Sequence, residues 1–398
     1  MTPKILARRM ADIQPFHVMQ ILARARALEA QGRSIVHMEI GEPDFPTPTP
    51  IVEAGIAALR AGHTHYTSAL GLPALRAAIA TSYPSAARPD IGRVVVTPGS
   101  SGALLLVFGV LINPGDDVLM ADPGYPGNRH FVRLFEGRAR LVPVDATTAY
   151  QLTADLVRKH WTPATRAVLI SSPSNPTGTL VPDAEMVQIA HVVRERGGIL
   201  IVDEIYHGLT YGVQAHSALH HGSDIFVINS FSKYYGMTGW RVGWLVAPQA
   251  YVETIDRLAQ NVFLATNTPA QHAAMVAFQP QVQAELDRRR AEFQARRDYL
   301  LTALRALDFD IPVTPQGAFY LYAQISRLAA DSDEFSRRLL EEVGVAVTPG
   351  HDFGVHVAQR YLRFSYANTR SQLEEGVSRI AAFLGRPKPK VDPENSKE

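Results

Sequence analysis

"GILIVDEIY" (Gly198–Tyr206) opens on aliphatic and β-branched residues and ends at two carboxylates. A run so short and so apolar reads as a strand buried on both faces of a sheet, because a half-exposed strand would alternate. The stretch before it, Asp183–Arg196, carries apolar residues at helical spacing. The same strand-then-helix form recurs on both sides. "RVVVTPG" (Arg93–Gly99) is a buried-type strand, and Ser100 opens an apolar helix that ends at "NPGDD". "VLMADPGYP" (Val118–Pro126) is strand then turn, and "RAVLISSPSNPTG" (Arg166–Gly178) repeats the form. "DIFVINSFSK" and "VGWLVAP" close the series. This alternation predicts an α/β fold, a mostly parallel sheet sandwiched by helices.

Outside that block, residues 13–31 read as an amphipathic helix. "IVHMEIGEPDFPTP" (Ile35–Pro48) reads as a short strand running into a Pro-rich loop. Helical spacing returns at Ile51–Ala61 and Leu72–Ser82. Near Gln279 the composition shifts to a long, charged helix. Beyond it "GAFYLYAQI", "VGVAVTPG" and "RYLRFSYA" alternate with helices, as in a smaller α+β unit. The expected division is a large domain over 46–285, a small domain from 1–45 together with 286–386, and a disordered tail at 387–398.

Composition excludes several classes. With 39 basic and 38 acidic side chains, the net charge is +1, so no basic surface for nucleic acid is expected. Cysteine is absent, which removes disulfides and thiolate metal sites. The fourteen histidines show no metal-ligand spacing, so no metal is expected. The start lacks a secretory h-region, and "ALLLVFGVLI" (Ala103–Ile112) is too short to cross a bilayer. A cytoplasmic protein without membrane contact is the expectation.

Ligands of doubly wound sheets gather at the carboxyl ends of the strands. The conspicuous polar residues fall there: Ser100 and Ser101, Tyr125, Asn175, Asp203 with Tyr206, and Lys233. "TPGSSGAL" (Thr97–Leu104) is a strand-to-helix junction suited to phosphate, or simply a Gly-Ser helix cap. Arg241, with its planar fork of donors, favours phosphate, and Ser230 could add a hydroxyl. Asp203 needs a partner, either a structural cation or a cofactor nitrogen kept protonated. "PSNPTG" is a turn whose amide could bond a ring hydroxyl, and Tyr125 could pack at a boundary or stack on a ring. Lys233 decides among these. A lysine in an apolar pocket is a nucleophile toward carbonyls, and with a phosphate cup and an acid it describes pyridoxal 5'-phosphate.

The motifs "NPTG", "DEIY" and "SFSKYYGMTGWRVGW", in this order and spacing, resemble the class I/II aminotransferases of pyridoxal-phosphate fold type I, from about Pro15 to Leu384. The resemblance implies that Lys233 carries the cofactor as a Schiff base and shuttles protons. It implies that Asp203 pairs with the ring nitrogen, Asn175 and Tyr206 bond the ring oxygen, and Tyr125 stacks on the ring. It makes Ser100, Ser101, Ser230 and Arg241 the phosphate cup. Tyr66 would reach the phosphate of a neighbouring subunit, implying a homodimer with shared sites. Arg363 and Gly41 would bind the substrate α-carboxylate. Amino-group transfer from an L-amino acid to a 2-oxo acid, by a ping-pong mechanism, is the implied reaction.

Where aspartate-preferring relatives offer hydroxyls, this chain has Phe16 and His17. That argues against strict aspartate specificity and favours alanine, branched or aromatic donors, an aspartate-type donor staying among the candidates, with 2-oxoglutarate or pyruvate as acceptor. A β-eliminating C–S lyase and a cofactor-binding sensor are alternatives on the same fold. The sensor would need an added basic DNA-binding domain, for which the amino-terminal segment leaves no room.

Overall fold

A computed structural model describes residues 5–389 and Val391. Most of the expected tail, 387–398, lies outside the described residues. Twelve strands are described: β1 Val36–His37, β2 Val94–Thr97, β3 Asp117–Asp122, β4 Arg138–Pro143, β5 Thr165–Ser171, β6 Ile199–Asp203, β7 Phe226–Ser230, β8 Gly243–Val246, β9 Tyr320–Gln324, β10 Val345–Ala346, β11 Thr348–Pro349 and β12 Tyr361–Ser365. Seven of them form one sheet in the order β2-β8-β7-β6-β5-β3-β4. Among the described strands of that sheet only β8 runs antiparallel to its neighbours; β3, β4, β5, β6 and β7 pair in parallel.

The sheet is covered on both faces, as the apolar runs predict. Val94, Val96, Val168, Ile170 and Val202 pack into one core with Ile189 and Val193 of the helix Asp183–Glu195. Val95, Leu169, Ile201 and Ile228 pack into the opposite core with Val107 and Phe108 of the helix Gly99–Leu111. Successive residues of a strand thus serve opposite cores, the period-two rule of a pleated strand.

A second hydrophobic core surrounds the antiparallel sheet β11-β12-β9 and gathers Phe309, Phe319, Phe364 and Leu373. The helix Pro280–Ala306 spans 27 residues. It buries Val282 and Leu286 in the large-sheet core and Phe293, Leu300 and Leu304 in the second. These residues recur on one side of the helix, and charged side chains, among them the buried Arg296 and Arg297, fill many of the other positions, which is why it reads as a charged helix. Two local differences from expectation have simple causes. "VGVAVTPG" is divided at Val347: β10 pairs in parallel with β1, whereas β11 pairs antiparallel with β12. The amino-terminal helix runs only from His17 to Glu29, after Pro15 and before Gly32 at φ +84°.

Candidate active site

A cleft of about 290 Å³ opens at the carboxyl ends of β2, β3, β5, β6 and β7. Each strand end delivers a side chain to it: Ser100 and Ser101 after β2, Tyr125 after β3, Asn175 after β5, Asp203 and Tyr206 from β6, and Lys233 after β7. Arg241 enters just before β8, Gly41 from the loop after β1, and Arg363 from β12. Two expected residues are not brought in. Ser230 is buried, its Oγ within bonding distance of Val242 O (3.1 Å) and Ser232 Oγ (2.9 Å); it is Ser232 that lines the wall. Tyr66 is 83% exposed and does not line this cleft. Its turn is tied down instead, through Thr268 Oγ1 donating to His65 O at 2.7 Å.

One end of the cleft is built for an anion. The helix Gly99–Leu111 follows Pro98, with no side-chain cap on its first amides. Those unpaired N–H groups and the helix dipole favour negative charge. Arg241 completes the corner. Its guanidinium lies so close that a Cβ on Gly99 would sit 2.5 Å from Nη2, and Gly99 holds φ +69°. The Arg241 backbone is itself left-handed, at φ +55°, and Nη1 donates to Thr238 O at 3.0 Å.

The middle holds an acid and an amine. Asp203 is 7% exposed, and no described cation pairs with it. Burial raises its pKa to about 7, against the opposing pull of the Ile205 N–H, 3.1 Å away. Lys233 donates from Nζ to Gly41 O at 2.6 Å. Burial lowers its pKa to about 8; Glu42 opposes this, and Arg363 and Arg241 add to it. The lowered pKa brings this amine nearer to the unprotonated form that a nucleophile or base requires.

The far end is built for a carboxylate. Arg363 is 1% exposed and stacks over Tyr320 (4.4 Å) and Phe353 (4.7 Å). Nη1 donates to Asn175 Oδ1 at 2.9 Å, and Nη2 donates to Glu39 O. Nε is buried without a hydrogen-bond partner, and of the five N–H donors of the guanidinium these two bonds leave others unused. Gly41 is required beside it: a Cβ there would meet Tyr320 Oη at 2.1 Å.

Tyr320 was not foreseen from sequence. Its hydroxyl lies 2.9 Å from that of Tyr206, and burial raises the pKa of both phenols. Strand periodicity shows which residues share a face of β9, but not that this face meets β6. Glu42 and Thr238, joined by a 2.6 Å hydrogen bond, also line the wall, as do Phe16, Val18 and Met19. His17 does not.

This constellation has close relatives. Residues 33–380 match the family "Aminotransferase class I and II". A (5-formylfuran-3-yl)methyl phosphate transaminase of Methanocaldococcus jannaschii is 36% identical, over 96% of this chain and 100% of its own. A valine–pyruvate aminotransferase of Mycobacterium tuberculosis is 37% identical, over 96% and 99%. The crystal structure of an aminotransferase from Mycobacterium tuberculosis superposes with a TM-score of 0.93 at 36% identity, covering 96% of this chain and 100% of that one. The chain belongs to the class I and II aminotransferases, and it is a transaminase. The expected fold and reaction class are borne out. Among the described residues no helix is long and apolar enough to cross a membrane.

Proposed function

We propose that this transaminase binds pyridoxal phosphate in the cleft and moves an amino group from an L-amino acid with an apolar side chain to a short 2-oxo monocarboxylate such as pyruvate. The cleft residues fit that cofactor. The uncapped amides of Gly99, Ser100 and Ser101, with Arg241, would take its phosphate; Asp203, held in no described ion pair, would take its ring nitrogen; and Tyr125 would cover its ring. When bound, the cofactor supplies an electrophilic carbon and an electron-withdrawing ring. Lys233 supplies the amine and moves the proton at Nζ, with the Gly41 carbonyl orienting it. Arg363, whose guanidinium lines the cleft, would fix the α-carboxylate with donors its protein bonds leave unused.

One observation carries the substrate reading. Lys233, Arg241 and Arg363 are the cations lining the cleft among the described residues, and the cofactor's aldehyde, its phosphate and the α-carboxylate use all three. None of this chain's own cations is left for a second carboxylate. Glu42 instead adds negative charge to a wall whose other members include Phe16, Val18, Met19, Ile40 and Leu104. The similarity to a valine–pyruvate aminotransferase supports the same choice. The test is a set of half-reactions followed by cofactor absorbance. Alanine, valine and phenylalanine are expected to exceed aspartate in kcat/KM by about 100-fold, the effect of an unpaired buried charge. Aspartate reacting as fast as valine would overturn the reading.

The exposed Tyr66 supports a homodimer in which a second copy completes the phosphate site. Gly99→Ala provides a separate check on that site. An alanine at φ +69° costs about 1–2 kcal/mol, and its methyl would displace Arg241. The Kd for pyridoxal phosphate is expected to rise about tenfold by fluorescence titration.

A further inference from the structure

We infer that Asp352 is a positioning residue for the substrate site: its carboxylate docks the first turn of the helix His17–Glu29, and with it the wall formed by Phe16, Val18 and Met19, over the bound donor. The inference rests on the proposed placement of the donor in this cleft.

A helix that starts at Phe16 brings no side-chain acceptor of its own, and no local side chain caps it. The acceptor arrives from 335 residues away: the His17 N–H donates to Asp352 Oδ1 at 3.1 Å. The Val18 N–H contributes a second, weaker interaction with the same carboxylate. Asp352 closes a short 3-10 turn, Gly350–Asp352, and is 1% exposed. Its Oδ2 has no hydrogen-bond partner, and burial pushes its pKa up. Burying a carboxylate this deeply costs more than amide contacts at one helix end return, even with the Arg363 charge offsetting part of it. Helix stability alone therefore does not account for an aspartate here.

The surroundings of Asp352 do. Its carbonyl accepts from Arg129 Nη2 at 3.1 Å, and Arg129 belongs to the helix Pro126–Leu134, which starts beside Tyr125. The next residue, Phe353, lies under the Arg363 guanidinium. The docked segment places the Phe16 ring edge-on to Tyr125, with centroids 6.1 Å apart. Residues 352 and 353 thus set three parts of the cleft relative to one another: the ring-covering tyrosine, the carboxylate-binding arginine and the apolar wall.

The test compares Asp352→Ala, Asp352→Ser and Asp352→Asn in the full chain. Alanine removes the acceptor and serine is too short to reach His17, whereas asparagine keeps an Oδ1 in place. The first two are expected to raise KM for valine about tenfold with kcat within about threefold, and Asp352→Asn to stay within about threefold of wild type in both. Pyridoxal phosphate affinity should not move in any of them. In cofactor-free protein, amide exchange at His17 and Val18 should quicken in the alanine and serine variants alone. Wild-type KM and exchange in Asp352→Ala would overturn the inference. So would an equal loss of thermal stability and cofactor affinity in all three variants, which would mark a purely structural residue. Should no amino donor react with wild-type holoenzyme, the proposed function fails, yet the exchange comparison still judges Asp352.

Discussion

Lys233→Ala is expected to lower kcat by about 10⁴-fold or more while pyridoxal phosphate stays bound. In the proposed reaction the lysine is both the amine that would meet the cofactor and the base that would move the substrate proton, and the cleft offers no second primary amine. Asp203 and Glu42 are carboxylates and form no imine, whereas Arg241 and Arg363 do not deprotonate in proteins. The phosphate corner, Asp203 and Tyr125 remain intact in the variant, so non-covalent binding persists. Borohydride should fix the cofactor to wild-type protein and leave the variant unlabelled. A variant that turns over within tenfold of wild type, or that is labelled as before, would remove Lys233 from the chemistry.

The second large effect is expected at Asp203, in two measurements. Asp203→Asn removes the buried cleft carboxylate that would hold a ring-nitrogen proton, and kcat/KM should fall by about 10³-fold, in line with the roughly 3–5 kcal/mol of a broken buried charge pair. The cofactor-free protein supplies an independent readout. Asp203 titrates near 7 in the fold against 3.8 in a free chain, because burial disfavours its charge. Between those pH values the folded state binds more protons than the unfolded one, so this group's contribution to stability is present below pH 3.8 and is lost as pH rises to about 7. Glu204, raised from 4.5 to about 8 by burial, acts in the same direction. Asp203→Asn should therefore flatten, without abolishing, the fall in Tm between about pH 4 and 8. An unchanged slope would mean that Asp203 is already ionised in the empty fold. Lys233 acts oppositely: its lowered pKa makes stability rise from about pH 8 to 10.5.

How much of this was legible in the amino-acid sequence follows from what each feature depends on. The buried strands were, because a short apolar run with no alternation fits the middle of a covered sheet and little else. The edge strand β4, RARLVP, was not: apart from the buried Val142 its residues are exposed or partly buried, and two are arginines, as an edge that must not pair further has. Lys233, Asp203 and Asn175 were legible because each sits where a strand ends. The choice between Ser230 and Ser232 was not. Both are buried, and which hydroxyl faces the cleft depends on where the Val242 carbonyl lies, twelve residues on from Ser230. Tyr320 and Asp352 reach the site from segments with no motif, and only the meeting of the two sheets with the amino-terminal helix reveals them.

The reversal of β8 has a mechanical consequence. Lys233 and Arg241 both sit on the short connection between antiparallel neighbours β7 and β8, so the distance between them is set locally. Arg363 belongs to the other sheet and reaches Asn175 across the gap. In the proposed arrangement, a shift of one sheet against the other would open and shut the grip on the amino acid while leaving the hold on the vitamin untouched.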